Sequence, residues 1–161
     1  MAESYEFILG EFQRTLDERF RLSVPSELAE LLTSESPDCI LAKERPGCVS
    51  LWSAKVWQTK LDEEVELVKH KMRAGRLRDE ISQVQLLGRL LSTRHRAVQL
   101  AGRGRLLIPE GFREFLGVEP GGEVMVVGAA VCLEVWNPPD WLNYLRGRVP
   151  KFRRLLSKLS K

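Results

Sequence analysis

The chain contains one segment twice, with the two copies 84 residues apart. Residues 15–57 align with residues 99–141 without a gap. Identical residues recur at equivalent positions along the whole alignment, in the pairs Leu16/Leu100, Arg19/Arg103, Arg21/Arg105, Leu22/Leu106, Pro25/Pro109, Leu32/Leu116, Cys48/Cys132, Trp52/Trp136 and Trp57/Trp141. Repetition at a fixed spacing indicates two copies of one structural unit, and hence a domain with pseudo-twofold symmetry.

Each copy carries the signals of a β-hairpin, a short helix and a second β-hairpin. Strand-like segments flank the turns at 17–20 and 101–104, and alternation across so short a connection predicts a hairpin. Pro25 and Pro109 end these strands and suit the first turn of a helix. Further strand pairs are predicted at 39–43 with 48–52 and at 123–128 with 131–136. Because about 40 residues bury too little apolar surface to fold alone, we expect the copies to pack together as one α+β domain.

Helical signals lie between the copies and after the second copy. Apolar residues recur every three or four positions from residue 54 to Gly75, which predicts an amphipathic helix, and a second helix is predicted over 79–91. Pro138 and Pro139 predict a helix that ends near residue 147, and Pro150 is expected to separate it from a basic segment. The predicted organisation is a first repeat at 7–53, a helical connection at 54–92, a second repeat at 93–137, and a C-terminal helix with a basic tail at 138–161.

The composition excludes several functional classes. A chain of 161 residues that is 43% hydrophobic and 29% charged is typical of a soluble globular protein. No apolar run is long enough for a membrane helix, and the first residues do not resemble a signal peptide, so we expect a cytoplasmic protein without a membrane partner. Nucleotide-binding and hydrolase motifs are absent from the sequence, and no histidine or cysteine has a neighbour at metal-ligand spacing. We therefore predict no enzyme activity, no cofactor, no metal and no small-molecule substrate.

The positions of the cysteines, tryptophans and histidines in the sequence favour structural over chemical roles. Two of the three cysteines are equivalent in the repeats and lie in apolar strand-like segments, which favours buried thiols. The four tryptophans are likewise equivalent in pairs, which favours packing in the core or between subunits. His70 and His95 are isolated, and we expect both to be exposed to solvent.

The candidate binding residues are arginines that recur in the first turn of each copy, namely Arg19, Arg21, Arg103 and Arg105, with Arg14 and Arg96 nearby in the sequence. An exposed guanidinium donates two parallel hydrogen bonds, a geometry that suits phosphate groups and guanine edges. The alternative is a solvated turn in which the arginines serve solubility. Asp17 lies four residues before Arg21, which predicts either an arginine-orienting contact or a turn-stabilising hydrogen bond, or both. Ala101 occupies the equivalent position in the second copy.

The C-terminal segment 144–161 contains seven lysines or arginines and no acid, within a net charge of +3 for the whole chain. One interpretation is an arm that contacts the DNA backbone, and another is a solubilised terminal helix. A third interpretation is a stripe that binds a partner protein through its apolar positions, Leu142, Leu145, Val149, Phe152, Leu155, Leu156 and Leu159.

The segments LDERFRLSVP and LAGRGRLLIP resemble the doubled Asp-x-x-x-Arg segments of the MraZ family of bacterial transcriptional regulators. The segments CVSLWSAKVW, VQLLGRLLS, EVMVVG and LEVWNPPDW also match the family in order, so the resemblance extends from about residue 7 to residue 145. It implies an AbrB-like swapped-hairpin fold, a double-psi-like β-barrel with packing helices, formed within one chain. It also implies a ring-shaped homo-oligomer that is associated with the nucleoid.

The function implied by the resemblance is sequence-specific regulation of transcription. The protein would bind direct repeats of double-stranded promoter DNA and repress a cell-division and cell-wall gene cluster, including its own promoter. The family motif maps onto Asp17 and Arg21 in the first copy and onto Arg105 in the second. Phe20 replaces a glycine that is usual in the family, so the first turn must form either without a positive φ or with strain. Two alternatives are an AbrB-type antitoxin that captures a toxin through the tail, and a structural ring without a DNA role.

Overall fold

A computed structural model describes residues 6–77 and 79–161. Strands and short helices alternate in each copy, and longer helices follow each copy. The elements in chain order are β1 (Ile8–Thr15), β2 (Arg21–Ser23), α1 (Ser26–Leu32), β3 (Asp38–Arg45), β4 (Cys48–Ser53), α2 (Ala54–Arg73), α3 (Ile81–Thr93), β5 (His95–Gln99), β6 (Arg105–Leu107), α4 (Arg113–Leu116), β7 (Glu123–Ala130), β8 (Leu133–Trp136) and α5 (Pro138–Leu159).

The strands form two antiparallel sheets whose pairing crosses between the copies. The larger sheet has six strands in the order β1-β7-β8-β4-β3-β5, and the smaller sheet pairs β2 with β6. The second hairpin of each copy is present as predicted, as β3–β4 and β7–β8. The predicted first hairpins are wrong, because β1 pairs with β7 and β5 pairs with β3 instead of with β2 and β6. Pairing β1 with β7 uses all eight residues of β1, whereas β2 has only three residues to offer.

The six-stranded sheet is open. Its edges are β1 and β5, and within 6–77 and 79–161 no strand pairing joins them. The closed barrel implied by the resemblance is therefore corrected to an open sheet with a separate two-stranded ribbon.

The main core collects equivalent residues from both copies. The pairs Leu22/Leu106 and Leu32/Leu116 are all buried, so the same positions of each repeat face the same core. Smaller clusters form across the copies, where Cys132 packs with Trp52 and Trp57, and Cys48 packs with Trp136. The three thiols are buried as predicted, and so are all the tryptophans except Trp141, which is half-buried.

Most of the helix predictions are confirmed, but one is wrong. The Ser53 hydroxyl accepts a hydrogen bond from the Val56 N–H and starts α2, and Gly75 follows its end with a φ of 76°. Helix α5 continues through Pro150 to Leu159, so the predicted break at this proline is incorrect. The proline removes one backbone hydrogen bond on an exposed helix, where water can bind the freed carbonyl and good helix formers follow.

His95 also differs from its prediction, because it is half-buried rather than exposed. Its ring lies 5.2 Å from the ring of Trp57, measured between centroids. The pairing of β5 with β3 places this histidine against the first turn of α2, a contact that its sequence neighbours do not indicate. His70 is exposed as predicted. None of the described helices combines the length and the apolar character needed to cross a membrane.

Candidate functional site

The candidate site is the β2–β6 ribbon with the turns that precede its strands. Leu22 is opposite Leu106 in this ribbon, and both side chains are buried. Neighbouring residues of a strand point to opposite faces, so the residues on either side of these leucines face outward. The outward face therefore carries Arg21 and Leu107, which are paired, and Ser23 and Arg105, which are also paired. The pseudo-twofold symmetry thus places two equivalent arginines on one surface.

Each turn is fixed by a hydrogen bond to the other copy. The Val24 N–H donates to the carbonyl of Gly104 at 2.9 Å, and the Ile108 N–H donates to the carbonyl of Phe20 at 2.8 Å. Phe20 and Gly104 are equivalent residues, with φ values of 59° and 71°. A left-handed conformation costs a non-glycine residue about 1–2 kcal/mol, so the first turn forms with strain rather than without a positive φ. The phenyl ring is half-buried and lies 4.2 Å from the Arg113 guanidinium, which offsets part of that cost.

Asp17 organises the first turn. Its Oδ1 atom accepts hydrogen bonds from the N–H groups of Arg19 and Arg21 at 2.8 and 2.9 Å, and its Oδ2 atom accepts from the Arg21 Nε at 3.1 Å. The turn-stabilising bond and the arginine contact predicted from the sequence are therefore both present. Because the Arg21 N–H bonds to the carboxylate, the pKa of Asp17 lies below its ordinary value. Asp17 is thus ionised at neutral pH, and it holds the guanidinium through Nε while the two Nη groups remain available.

The second turn has a different electrostatic character. Ala101 is followed by a 3₁₀ turn at Gly102–Gly104, in which Arg103 has a φ of 66°. Within the described chain, no ion pair involves Arg103 or Arg105, and both side chains are exposed. A cavity of about 350 Å³ opens here, lined by Ser23, Gly102, Arg103 and Arg105.

Arg14 joins the ribbon, but Arg96 does not. The Arg14 Nε donates to the carbonyl of Ser23 at 3.1 Å, which places a further guanidinium beside the second turn. Arg96 lies in β5 opposite Leu41 of β3, and no hydrogen bond or ion pair in the described ranges connects it to either turn. Six of the seven predicted site residues therefore belong to the ribbon and its turns, and their binding role stays a prediction.

Ser23 is the site residue that sequence reasoning missed. Its hydroxyl lies on the outward face because the ribbon pairs it with Arg105 of the other copy. The equivalent residue in the second copy is Leu107, so the internal alignment gives no polar signal at this position. Only the pairing between the copies brings Ser23 into the site.

The described residues contain no group that is equipped for catalysis at this surface. Among 6–77 and 79–161, no set of three or more His, Cys, Asp or Glu residues could hold a metal ion. Burial raises the pKa of Cys39 to about 11 and that of Cys132 to about 12, and burial also raises the pKa of Cys48. The thiols are therefore protonated at neutral pH and cannot act as nucleophiles. The guanidinium groups of this surface are suited to binding an anion.

The fold and the site are those of an α+β protein in which two similar segments of the sequence both contribute arginines to one face. Residues 93–153 match the family described as "MraZ protein, putative antitoxin-like". Over these residues the chain is similar to the MraZ family.

Relatives of known name match most of the chain. "Transcriptional regulator MraZ" of Acetivibrio thermocellus is 27% identical over 84% of each chain. The proteins of the same name from Roseiflexus castenholzii and Syntrophomonas wolfei are 28% and 23% identical and cover 85% and 94% of this chain. The family is thus one of transcriptional regulators and not of enzymes.

Proposed function

We propose that this protein is a transcriptional regulator that binds double-stranded DNA sequence-specifically through the β2–β6 ribbon. The observation that carries the proposal is the hydrogen bonding of Asp17 to Arg21. An acid that fixes the Nε of an arginine gives its remaining N–H groups a defined direction. Defined direction is needed to discriminate base edges and is unnecessary for solubility alone.

A two-stranded ribbon such as β2–β6 is an element that the major groove can accept. That groove is about 12 Å wide and accepts a two-stranded β-ribbon. Arginine commonly donates two hydrogen bonds to the O6 and N7 atoms of guanine, which only the major groove presents together. Arg21 projects from the outward face of the ribbon and has free Nη groups, so it is our candidate for this contact.

The target follows from the family. The resemblance described above implies direct repeats in the protein's own promoter, and repression of a cell-division and cell-wall gene cluster with nucleoid association. We include these finer features in the proposal. The names of the relatives support a role in transcriptional regulation only, and the finer features rest on the resemblance of the Asp-x-x-x-Arg segment at 17–21.

A swapped-hairpin unit and a ring-shaped homo-oligomer complete the proposal. The exchange of β1 and β5 between the copies supports the swapped-hairpin interpretation. Exposed apolar side chains on α2 and α3 support self-association, in particular Leu67, Met72, Ile81, Leu86 and Leu90. One chain offers a single ribbon, so a ring would strengthen binding to repeated sites by raising the effective concentration of further ribbons.

The test is fluorescence anisotropy with the DNA upstream of the protein's own gene and a composition-matched shuffled duplex. Arg21→Ala should weaken binding to the upstream DNA by about 1–3 kcal/mol for each engaged ribbon, and should change thermal stability little. Arg89→Ala, an exposed arginine on α3, is the matched control and should bind like the parent. If Arg21→Ala retained the preference for upstream DNA, the contact assignment would be wrong.

A second candidate function is capture of a partner protein by α5, as in AbrB-type antitoxins. The specific observation is that every residue from 146 to 161 is exposed, including Phe152, Leu156 and Leu159. Phe152→Glu should abolish co-purification of a partner and leave DNA binding intact. A homogeneous protein that purifies without a partner from its native host would argue against this candidate.

A further inference from the structure

We infer that the two turns have different roles in DNA binding. Arg103 and Arg105 of the second turn, together with Ser23 of the paired strand, form a binding site for a backbone phosphate. Arg21 of the first turn would then be the base-reading residue. This inference rests on the proposed DNA-binding function. It adds a distinction between two turns that the internal repeat makes equivalent in sequence position.

The first argument is the difference in charge between equivalent turns. Residues 17–21 contain two acids and two arginines, so that turn has no net formal charge. Residues 101–105 contain two arginines and no acid, so that turn carries a charge of +2. A phosphodiester is an anion with acceptor oxygens only, and it is favoured by uncompensated guanidinium groups. The electrostatic attraction therefore falls mainly on the second turn.

The second argument is the freedom of the arginines. Arg21 is held by Asp17 and is half-buried, with 37% of its side chain exposed. Arg103 and Arg105 are exposed, and no acid in the part of the chain that the structure describes pairs with them. An arginine without a fixed direction can follow a phosphate whatever the local sequence. Such contacts position a protein on the duplex and carry no sequence information directly.

The third argument is the shape of the second turn. The cavity of about 350 Å³ is lined by Arg103 and Arg105 together with Ser23 and Gly102. Gly102 has no side chain, and the space where a Cβ would stand is open, so an anion can approach the backbone closely. Arg14 bonds to the carbonyl of Ser23 and adds positive charge at the rim. Donors therefore converge on this cavity from both strands of the ribbon.

The experiment compares the effect of each turn on affinity and on sequence preference. Anisotropy is measured for the full-length parent, Arg105→Ala and Arg21→Ala on the upstream and shuffled duplexes over a range of salt concentrations. Arg105→Ala should weaken binding to both duplexes by the same factor, and should reduce the slope of log K against log salt by about one per engaged ribbon. Arg21→Ala should instead reduce the ratio between the two duplexes by about tenfold.

A gain-of-acid variant tests the same idea independently. Ala101→Asp places in the second turn the acid that braces Arg21 in the first, and should lower affinity for both duplexes and reduce the salt slope. Ala101→Asn, of nearly the same shape but uncharged, is the matched control and should stay close to the parent. If Ala101→Asn lowered the affinity and the salt slope as much as Ala101→Asp does, the shape of the new side chain and not its charge would be responsible for the effect.

The outcomes separate this inference from the proposed function. If Arg105→Ala abolished the preference for upstream DNA as Arg21→Ala does, the assignment of different roles to the two turns would be wrong. The proposed DNA-binding function would still hold. If Ala101→Asp left the affinity and the salt slope unchanged, the proposed phosphate site at the second turn would be wrong, and the proposed DNA-binding function would still hold. If the parent bound neither duplex at any salt concentration, the proposed function itself would fail, and the inference with it.

Discussion

At the residue scale, one acid distinguishes two arginines that the repeat places in equivalent positions. Asp17 bonds to two backbone N–H groups and to one guanidinium, so the conformation of the turn and the direction of Arg21 depend on the same carboxylate. Ala101 removes both effects from the second turn. A single side chain therefore couples the shape of a loop to what the loop can recognise.

Asp17→Ala should reduce the preference for upstream over shuffled DNA by about tenfold, because the Arg21 guanidinium loses its fixed direction. Asp17→Asn keeps an acceptor for the backbone N–H groups and loses the charge, so it should retain more of the preference. Anisotropy on the two duplexes measures the difference. Equal preference in the parent and in Asp17→Ala would show that the acid has no role in recognition.

Acid should abolish the contribution of Asp17 to folding. Its pKa is lowered in the folded state, so the stabilisation is present above the unfolded value of 3.8 and is lost as the pH falls through the folded pKa. The melting temperatures of the parent and Asp17→Asn should therefore differ by a constant amount above about pH 3.8, and should converge as the pH falls below this value through the folded pKa. A difference in melting temperature that stayed constant below this value would contradict the assignment.

Glu134 gives the opposite pH dependence. Burial raises the pKa of this carboxyl above its ordinary value of 4.5, and the Trp136 Nε1 donates to it at 3.0 Å. Between 4.5 and the raised pKa the unfolded chain ionises while the folded chain does not, so stability falls as the pH rises through this window. Glu134→Gln keeps the acceptor for Trp136, and should raise the melting temperature at pH 7 more than at pH 4. An equal gain at both values would rule out ionisation as the cause.

At the element scale, the structure shows which features could be predicted from local sequence. Some sequence signals act on residues only a few positions away, namely Pro25 before α1, the apolar spacing of α2 and Gly75 after α2. The corresponding helices are present as predicted. The pairing of β1 with β7 joins residues more than 100 positions apart, and no local signal specifies it. The pairings of β2 with β6 and of β3 with β5 also join distant residues, and they decide where Ser23 and His95 lie, which explains why their environments were not predicted. Within the site, the Asp17–Arg21 contact was predictable because both partners lie in one turn.

Two glycine substitutions should have opposite effects. Gly88 lies inside α3, and a Cβ at this position would meet open space, so Gly88→Ala should stabilise the helix by about 0.5–1 kcal/mol. Gly128 of β7 lies opposite Gly10 of β1, and a Cβ there would stand 2.5 Å from the carbonyl oxygen of Ile8. Gly128→Ala should therefore destabilise the fold by forcing these strands apart. Chemical denaturation measures both, and a stable Gly128→Ala protein would contradict the close approach of β1 and β7.

At the scale of the whole molecule, the two copies are one cooperative unit. The six-stranded sheet takes strands from both copies, and β1 and β5 each lie against the other copy. Cys48 and Cys132 also pack against tryptophans of the opposite copy. We therefore expect that neither copy keeps its complete sheet and core when the other is removed.

Separate expression of residues 1–92 and 93–161 should therefore yield two unfolded fragments. Each lacks the strands that pair with its own β1 or β5, as well as half of the ribbon. Circular dichroism and thermal unfolding should show no cooperative transition for either fragment, and mixing the two should restore one. A cooperative transition in one isolated fragment would contradict the interdependence of the copies.

The unequal turns also give the molecule a polarity. A ribbon with true twofold symmetry would bind DNA equally well in two orientations related by a half-turn. These orientations are not equivalent here, because Asp17 has no acidic counterpart at Ala101. If the two orientations differed tenfold in affinity, which is about 1.4 kcal/mol, roughly one bound molecule in eleven would have the reversed orientation. A DNA-binding protein with a preferred orientation favours binding sites that are arranged as direct repeats over sites that are arranged as inverted repeats. The presence of a carboxylate in one turn and its absence from the equivalent turn is then enough to give a nearly symmetric ribbon a preferred direction on DNA.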